Sequence, residues 1–217
     1  MVEVNLLKSL PQSKRNVKLR EGKKTEEHIR ISRMYGKEYF DGSRDYGYGG
    51  YKYDGRWKPV AIDIIEHFNL NKGDKVLDVG CAKGFLVKDL CDLGINALGI
   101  DISQYALDNS VEGVREKLSL ANANLLPFAN DTFDAVLSIN TIHNLDRNGC
   151  ISALKEISRV SKNNNSFVQV DSYHTPEQKK IFESWVLTAK FYGYPQEWLE
   201  VFLEAEYSGD WYWTIIN

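Results

Sequence analysis

A chain of 217 residues with 43% hydrophobic and 26% charged residues has the composition of a soluble globular protein and the length of one α/β domain. Its net charge of −3 and pI near 5.9 lack the basic excess of a phosphate-contacting surface, so no nucleic-acid partner is expected. No apolar run is long enough to span a membrane, the N-terminus lacks a signal-peptide core, and Cys81, Cys91 and Cys150 have no metal-ligand spacing. A cytoplasmic protein with free thiols, no metal and no membrane partner is the expectation, with a homodimer left open.

Residues 1–34 read as a polar N-terminal arm, locally basic at Lys14, Arg15, Lys18, Arg20, Lys23 and Lys24. Glu21, Glu26 and Glu27 dilute that charge, which favours a solvated tail over an arm for an anionic partner. The domain proper is then 35–217. It opens with Tyr35 to Trp57, a stretch rich in tyrosine and glycine, followed by an amphipathic helix from Lys58 to Phe68 with Pro59 in its first turn. Val76 to Val79 is the apolar run of a buried strand, and Phe85 to Leu93 carries helical spacing.

A second strand covers Asn96 to Ser103, then come a helix from Gln104 to Glu116 and a strand at Leu118 to Ala123. Phe133 to Asn140 is a fourth strand, and Gly149 to Ser161 is a helix with Ile151, Leu154, Ile157 and Val160 on one face. Phe167 to Val170 suggests a fifth strand. Glu177 to Lys190 reads either as one helix or as a helix followed by a strand at Trp185 to Ala189. Pro195 to Glu204 is a helix and Trp211 to Ile216 a final strand. The alternation predicts an α/β, Rossmann-like, doubly wound and mainly parallel sheet of about seven strands with helices on both faces. Its ligand belongs at the strands' carboxyl ends, where the strand order reverses.

The chemistry concentrates in VLDVGCAKGF, Val76 to Phe85. Gly80 and Gly84 bracket a turn, with Cys81 and Ala82 inside it, where a side chain would block a ligand or force unfavourable φ. The helix that follows aims its N-terminal amides at that ligand. Asp78 stands in the strand just before the turn. Asp101 lies roughly 20 residues further on, the interval at which a second-strand acid meets ribose hydroxyls. The nicotinamide fingerprint G-x-G-x-x-G fits poorly, because Gly80 and Gly84 enclose three residues, Cys81, Ala82 and Lys83, and an acid precedes them.

These residues resemble the class I S-adenosylmethionine (SAM)-dependent methyltransferases, in their small-molecule branch. VLDVGCAKG is similar to the family's first motif and GIDIS to its acidic second-strand end. ANLLPFANDTFDAVLSINTIHNL and EISRVSKNNNSFVQV resemble the segments around the fourth and fifth strands. The resemblance implies SAM as cofactor and S-adenosylhomocysteine as product. It implies that Gly80, Ala82 and Gly84 admit the methionine part of SAM, that Asp78 holds its ammonium group and that Asp101 accepts the ribose hydroxyls. Ile102 would pack on the adenine, Asn124 before Leu125 would receive the adenine amino group, and Asn140 would border the methionine and the acceptor. Ala82 departs from the family's usual glycine, a replacement tolerated where φ is negative.

Methyl transfer is an in-line displacement, so the enzyme aligns an acceptor and excludes water. His143 is the candidate base or acceptor-orienting donor, with packing as the alternative. The family builds its lid before the first strand, which makes Tyr39, Tyr46, Tyr48, Tyr51 and Tyr53 candidate pocket rings on a glycine-hinged loop. Arg56 could pair with the SAM carboxylate or an anionic substrate group. YGYGGYKYDGRW also resembles bacterial methyltransferases found among surface-polysaccharide genes, which implies O-methylation of a sugar, phosphorylated or nucleotide-linked small molecule. A non-catalytic SAM-binding sensor or partner subunit is the main alternative, and a nicotinamide oxidoreductase a lesser one.

Overall fold

The computed structural model describes residues 1–11 and 23–215; the basic positions Lys14, Arg15, Lys18 and Arg20 lie outside them. In chain order the elements are α1 (Glu26–Ser32), α2 (Lys37–Asp41), α3 (Lys58–His67), β1 (Lys75–Val79), α4 (Phe85–Asp92), β2 (Asn96–Asp101), α5 (Gln104–Asp108) and β3 (Leu118–Leu120). Then follow β4 (Ala135–Ile139), α6 (Arg147–Val160), β5 (Ser166–Ser172), α7 (Pro176–Trp185), α8 (Pro195–Glu204) and β6 (Asp210–Ile215). The described strands form one sheet of six, ordered β3-β2-β1-β4-β5-β6, and every neighbouring pair is parallel.

Six strands correct the expected seven. The segment Trp185 to Ala189 is not a strand: α7 ends at Trp185, and the chain then runs irregularly, with Lys190 and Phe191 N–H groups donating to the His143 carbonyl at 2.9 and 3.1 Å. The helix after β2 is also shorter than expected. It stops at Asp108, where Asn109 leaves the helical region at φ −110°, ψ 30° and its side-chain amide donates to the Tyr105 carbonyl at 2.8 Å.

Both faces of the sheet are buried, as a parallel sheet requires. Val76 on β1 packs with Val60, Ile64, Leu86 and Leu90 of α3 and α4. Its neighbours Leu77 and Val79 face the opposite cluster, built with Leu154 and Ile157 of α6 and Trp198 and Phe202 of α8. Asp78, by the two-residue period of a strand, shares the face of Val76. The N-terminal arm is not a detached tail over residues 1–11: Val4 N–H donates to the Trp211 carbonyl at 2.9 Å and Leu6 is buried against the α3–α4 cluster. All three cysteines are free. Among the described residues no helix is long and apolar enough to cross a membrane.

Candidate active site

Strand order reverses between β1 and β4, so the loops after Val79 and Ile139 part and leave a crevice at the carboxyl ends. Gly80 lines it at φ +86°, and a Cβ there would sit 2.1 Å from Thr141 Oγ1, so only glycine fits. The Gly80 and Cys81 N–H groups donate to the Ile100 carbonyl at 2.8 and 2.9 Å, which fastens the turn to β2. Gly84 caps α4 at φ +74° and borders none of the cavities described below. A Cβ on it would meet Leu118 Cδ1 at 2.8 Å, so its role is close packing.

Ala82 is also left-handed, at φ +50°, and the negative φ expected of an alanine is not observed. Two contacts hold it there. Its N–H donates to Asp101 Oδ2 at 2.8 Å, and its methyl group packs in a cluster with Phe40 and Ala106. Alanine thus serves as the seat on which the lid residue Phe40 rests, at the cost of backbone strain.

Two carboxylates face each other across this turn. Asp101 accepts from Ala82 and Ser103 N–H, both at 2.8 Å, yet burial still raises its pKa. Asp78 is 6% exposed and makes no side-chain hydrogen bond with a described residue. Burial, reinforced by the Asp101 charge, pushes its pKa up to about 7. Among the described residues no cation lies beside this carboxylate, an arrangement that suits a positively charged ligand.

The residues from Tyr35 to Trp57 close over the crevice as an aromatic cover. Tyr48 and Tyr51 rings lie 4.3 Å apart, and Tyr51 stacks on Phe85 of α4 at 4.5 Å. Tyr53 donates to Asp89 Oδ1 on α4, Ser103 Oγ donates to the Tyr35 carbonyl, and Lys83 Nζ donates to both oxygens of Asp41.

Three connected cavities result. One of about 160 Å³ lies over Asp101, Ile102 and the segment Ala121 to Ala123. A second of about 430 Å³ lies over Asp78, Cys81, Tyr51 and Arg56. A third of about 150 Å³ lies against His143, Asp171, Trp185 and Thr188. Asn140 and Tyr48 border all three, which places them where the three cavities adjoin.

The structure gathers most of the expected residues and disperses some. Asp78, Gly80, Cys81, Ala82, Asp101, Ile102 and Asn140 border the first two cavities, with Ile102 57% exposed as an open platform. The Cys81 thiol, buried and pushed up in pKa, turns toward Gly99. Asn124 and Leu125 lie outside. The chain turns back at Asn122, where Leu125 N–H donates to its carbonyl at 3.1 Å, and Leu125 is left 75% exposed. Asn122 and Ala123 take the wall position instead. Tyr39 borders the first and third cavities and Tyr51 the second. Tyr46 borders none, because its ring sits edge-on to His28 at 5.4 Å on the outer side of the lid. Arg56 reaches the second cavity but is gripped by Asp54 at 2.5 to 2.9 Å.

His143 is buried on a short 3₁₀ turn, Ile142–Asn144, that follows β4. Its Nδ1 accepts from the Asp171 N–H at 3.1 Å and its Nε2 lies 3.6 Å from Asp171 Oδ2. Burial lowers its pKa, against the opposing pull of Asp171. Asp171 and Asn122 are two of the polar wall residues that the sequence motifs did not single out. An acid closing the last turn of β5 in FVQVDS was the available signal for the first; nothing in ANANLL separated Asn122 from Asn124.

A parallel sheet with a glycine turn and two buried acids at its order reversal makes this an α/β domain of the doubly wound class, with its crevice at the strands' carboxyl ends. Residues 77–169 match the family model described as a methyltransferase domain. Sterol 4-C-methyltransferase strm-1 of Caenorhabditis elegans is 29% identical over 156 residues, 66% of this chain and 45% of that protein. The uncharacterised protein MJ1252 of Methanocaldococcus jannaschii is 32% identical over 136 residues, 61% of this chain and 49% of that protein. The chain thus spans about half the length of these curated relatives.

Among solved structures, a chain of the complex between the Haloferax volcanii Trm112 methyltransferase activator and its putative methyltransferase superposes with a TM-score of 0.55. It is 23% identical and covers 69% of this chain and 67% of that one. YcgJ of Bacillus subtilis gives 0.55 at 17% identity, covering 67% and 66%. Over residues 77–169 the chain is thus similar to the methyltransferase-domain family, and it shares the fold of these two solved structures.

Proposed function

We propose that the protein transfers the methyl group of SAM to an oxygen of a small polar acceptor. The observation that carries this reading is the Asp78 carboxylate, buried beside the glycine turn with no cationic partner among the described residues. SAM fits there: its ammonium group neutralises Asp78, its ribose hydroxyls meet Asp101, and its adenine rests on Ile102 next to Asn122. SAM supplies an electrophilic methyl group on a sulfonium. This chain's residues hold the donor at the turn, bring the acceptor to Asn140 and Tyr48, and exclude water beneath the aromatic lid. A nicotinamide dinucleotide suits the turn poorly, because its pyrophosphate would approach the Asp78 carboxylate that precedes the turn.

The acceptor reading rests on the third cavity. Its wall holds a carboxylate at Asp171, the His143 imidazole and the Arg44 guanidinium. A sterol skeleton laid against these groups would strip their hydration with no polar partner in return, which favours a hydrophilic acceptor over those of the sterol methyltransferase relatives. Arg44 and Lys52 around the second cavity favour an acceptor with an anionic part, such as a sugar phosphate or a nucleotide-linked sugar.

Calorimetric titration with SAM, S-adenosylhomocysteine and NADH tests the donor, with SAM and S-adenosylhomocysteine binding expected and NADH not. NADH binding without SAM binding overturns the reading. Release of S-adenosylhomocysteine with sugar phosphates or nucleotide sugars tests the acceptor and removes the non-catalytic sensor alternative.

A further inference from the structure

Asp171 closes β5 on the wall of the third cavity and is 6% exposed. Its backbone is fully engaged: the N–H donates to His143 Nδ1 at 3.1 Å and the carbonyl accepts Trp198 Nε1–H at 3.1 Å. Its carboxylate has no hydrogen-bond partner among the described residues. The His143 Nε2 at 3.6 Å lies beyond hydrogen-bond length, so that contact is electrostatic. The other titratable or charged groups on this cavity wall are Tyr39, Tyr48 and Arg44.

The backbone bond fixes the state of the imidazole. A peptide N–H only donates, so Nδ1 must accept and carries no proton. The neutral ring then bears its proton on Nε2, the nitrogen beside Asp171. Neither nitrogen keeps a lone pair for a substrate: one is spent on the backbone and the other is protonated. Burial favours the neutral ring.

The geometry points to Asp171 as the group that receives the acceptor's proton, with His143 as a positioning residue that presents Nε2–H to it. This assignment rests on the methyl-transfer reading above. In the step, the acceptor oxygen forms a bond to the methyl carbon while the methyl–sulfur bond of SAM breaks. That bond's electron pair stays on sulfur, giving neutral S-adenosylhomocysteine, and the hydroxyl proton passes to the Asp171 carboxylate. The cation SAM and the anion Asp171 are both neutralised, so charge balances. The acceptor class is a hydroxyl compound, whose oxygen sits between Asp171 and the Asn140–Tyr48 junction.

The test uses histidine-labelled nitrogen NMR on the S-adenosylhomocysteine-loaded protein, with His143→Gln to assign the resonance. A neutral ring fixed in the Nε2–H tautomer is expected at neutral pH, with any protonation falling below that of a free imidazole. An Nδ1-protonated neutral ring, or one that takes up a proton more readily than a free imidazole, overturns the assignment. With glucose 6-phosphate and myo-inositol as hydroxyl probes, Asp171→Asn should lower kcat about 100-fold with the SAM Kd unchanged. His143→Gln should cost about tenfold, through positioning alone. Turnover by Asp171→Asn at the wild-type rate overturns it. Failure of the wild type to bind SAM removes the methyl-transfer reading itself, a different result from SAM binding with an Nδ1-protonated neutral His143.

Discussion

Asp41 on α2 accepts two hydrogen bonds from Lys83 Nζ, at 2.8 and 2.6 Å, and so ties the lid to the residue next to Ala82. Tyr105 OH adds a third bond to the same carboxylate at 2.8 Å. The latch joins the aromatic cover to the glycine turn, so its opening should speed cofactor exchange. Asp41→Asn removes the charge from these bonds and should cost about 1.5–3 kcal/mol of lid closure. Hydrogen exchange over 35–57 should rise while the sheet stays protected, and the SAM off-rate should increase. Unchanged exchange in the lid would show that the aromatic stack alone holds it. Burial works to raise the Asp41 pKa, but the bonds from Lys83, Tyr105 and the Tyr51 backbone hold it below the ordinary value. A depressed acid stabilises above its unfolded pKa, so the latch weakens only as pH falls below about 3.8.

Asp78 has the opposite sign. Its folded pKa, about 7, stands above the unfolded 3.8, so the cofactor-free protein loses stability as pH rises between those values and levels off above them. SAM requires the ionised form. Its affinity should therefore climb from pH 5.5 toward 7, by up to about tenfold per unit, with proton release that flattens above. Calorimetry in buffers of different ionisation enthalpy counts those protons. Asp78→Asn should abolish the slope and weaken SAM by about 1.5–3 kcal/mol at pH 8. A slope that survives the substitution would assign the titration elsewhere.

What could be read in the sequence were features whose chemistry and spacing are local. Asp78, Gly80 and Asp101 sit on one strand–turn–helix–strand unit, and β1 to β2 pairing from Lys75–Asn96 to Val79–Ile100 brings the acids together without help from the rest of the chain. Features set by long-range contacts could not be read. Nothing local tells that Tyr46 packs on His28 while Tyr48 reaches all three cavities, or that Leu6 joins the α3–α4 core. The strand expected at Trp185 to Ala189 had suitable residues, but that segment instead lines the third cavity, with the Ala189 carbonyl accepting from Arg33 at 3.1 Å. The role of His143 turned on a backbone bond from β5, which no spacing within NTIHNL encodes.

Ala82 allows two opposing effects to be weighed. Relief of left-handed strain in Ala82→Gly gains roughly 1–2 kcal/mol. Loss of a buried methyl costs about 0.8 kcal/mol, and the added freedom of the unfolded chain about 0.4–1 kcal/mol. The variant should stay within about 1 kcal/mol of wild type in denaturant unfolding, with a looser lid because Phe40 loses its seat. Ala82→Val adds a branched side chain at φ +50° and should be clearly destabilised. Equal stability of the glycine and valine variants would mean that the backbone there is not left-handed.

Asn122 and Asn124 make a pair of near-identical substitutions with different expected outcomes. Asn122 borders the cavity over Ile102, and its Oδ1 lies 3.3 Å from the Asn124 N–H, a long bond that a ligand's amino group can outcompete. Asn124 stands beyond the turn, outside that wall. Asn122→Ala should weaken S-adenosylhomocysteine by about 0.5–1.5 kcal/mol, the net worth of one neutral hydrogen bond. Asn124→Ala should leave the affinity unchanged. Adenosine, which lacks the methionine part, should show the same difference between the two variants, since the contact belongs to the base. The reverse order of losses would restore Asn124 as the adenine partner and require the Asn122–Leu125 turn to rearrange on binding.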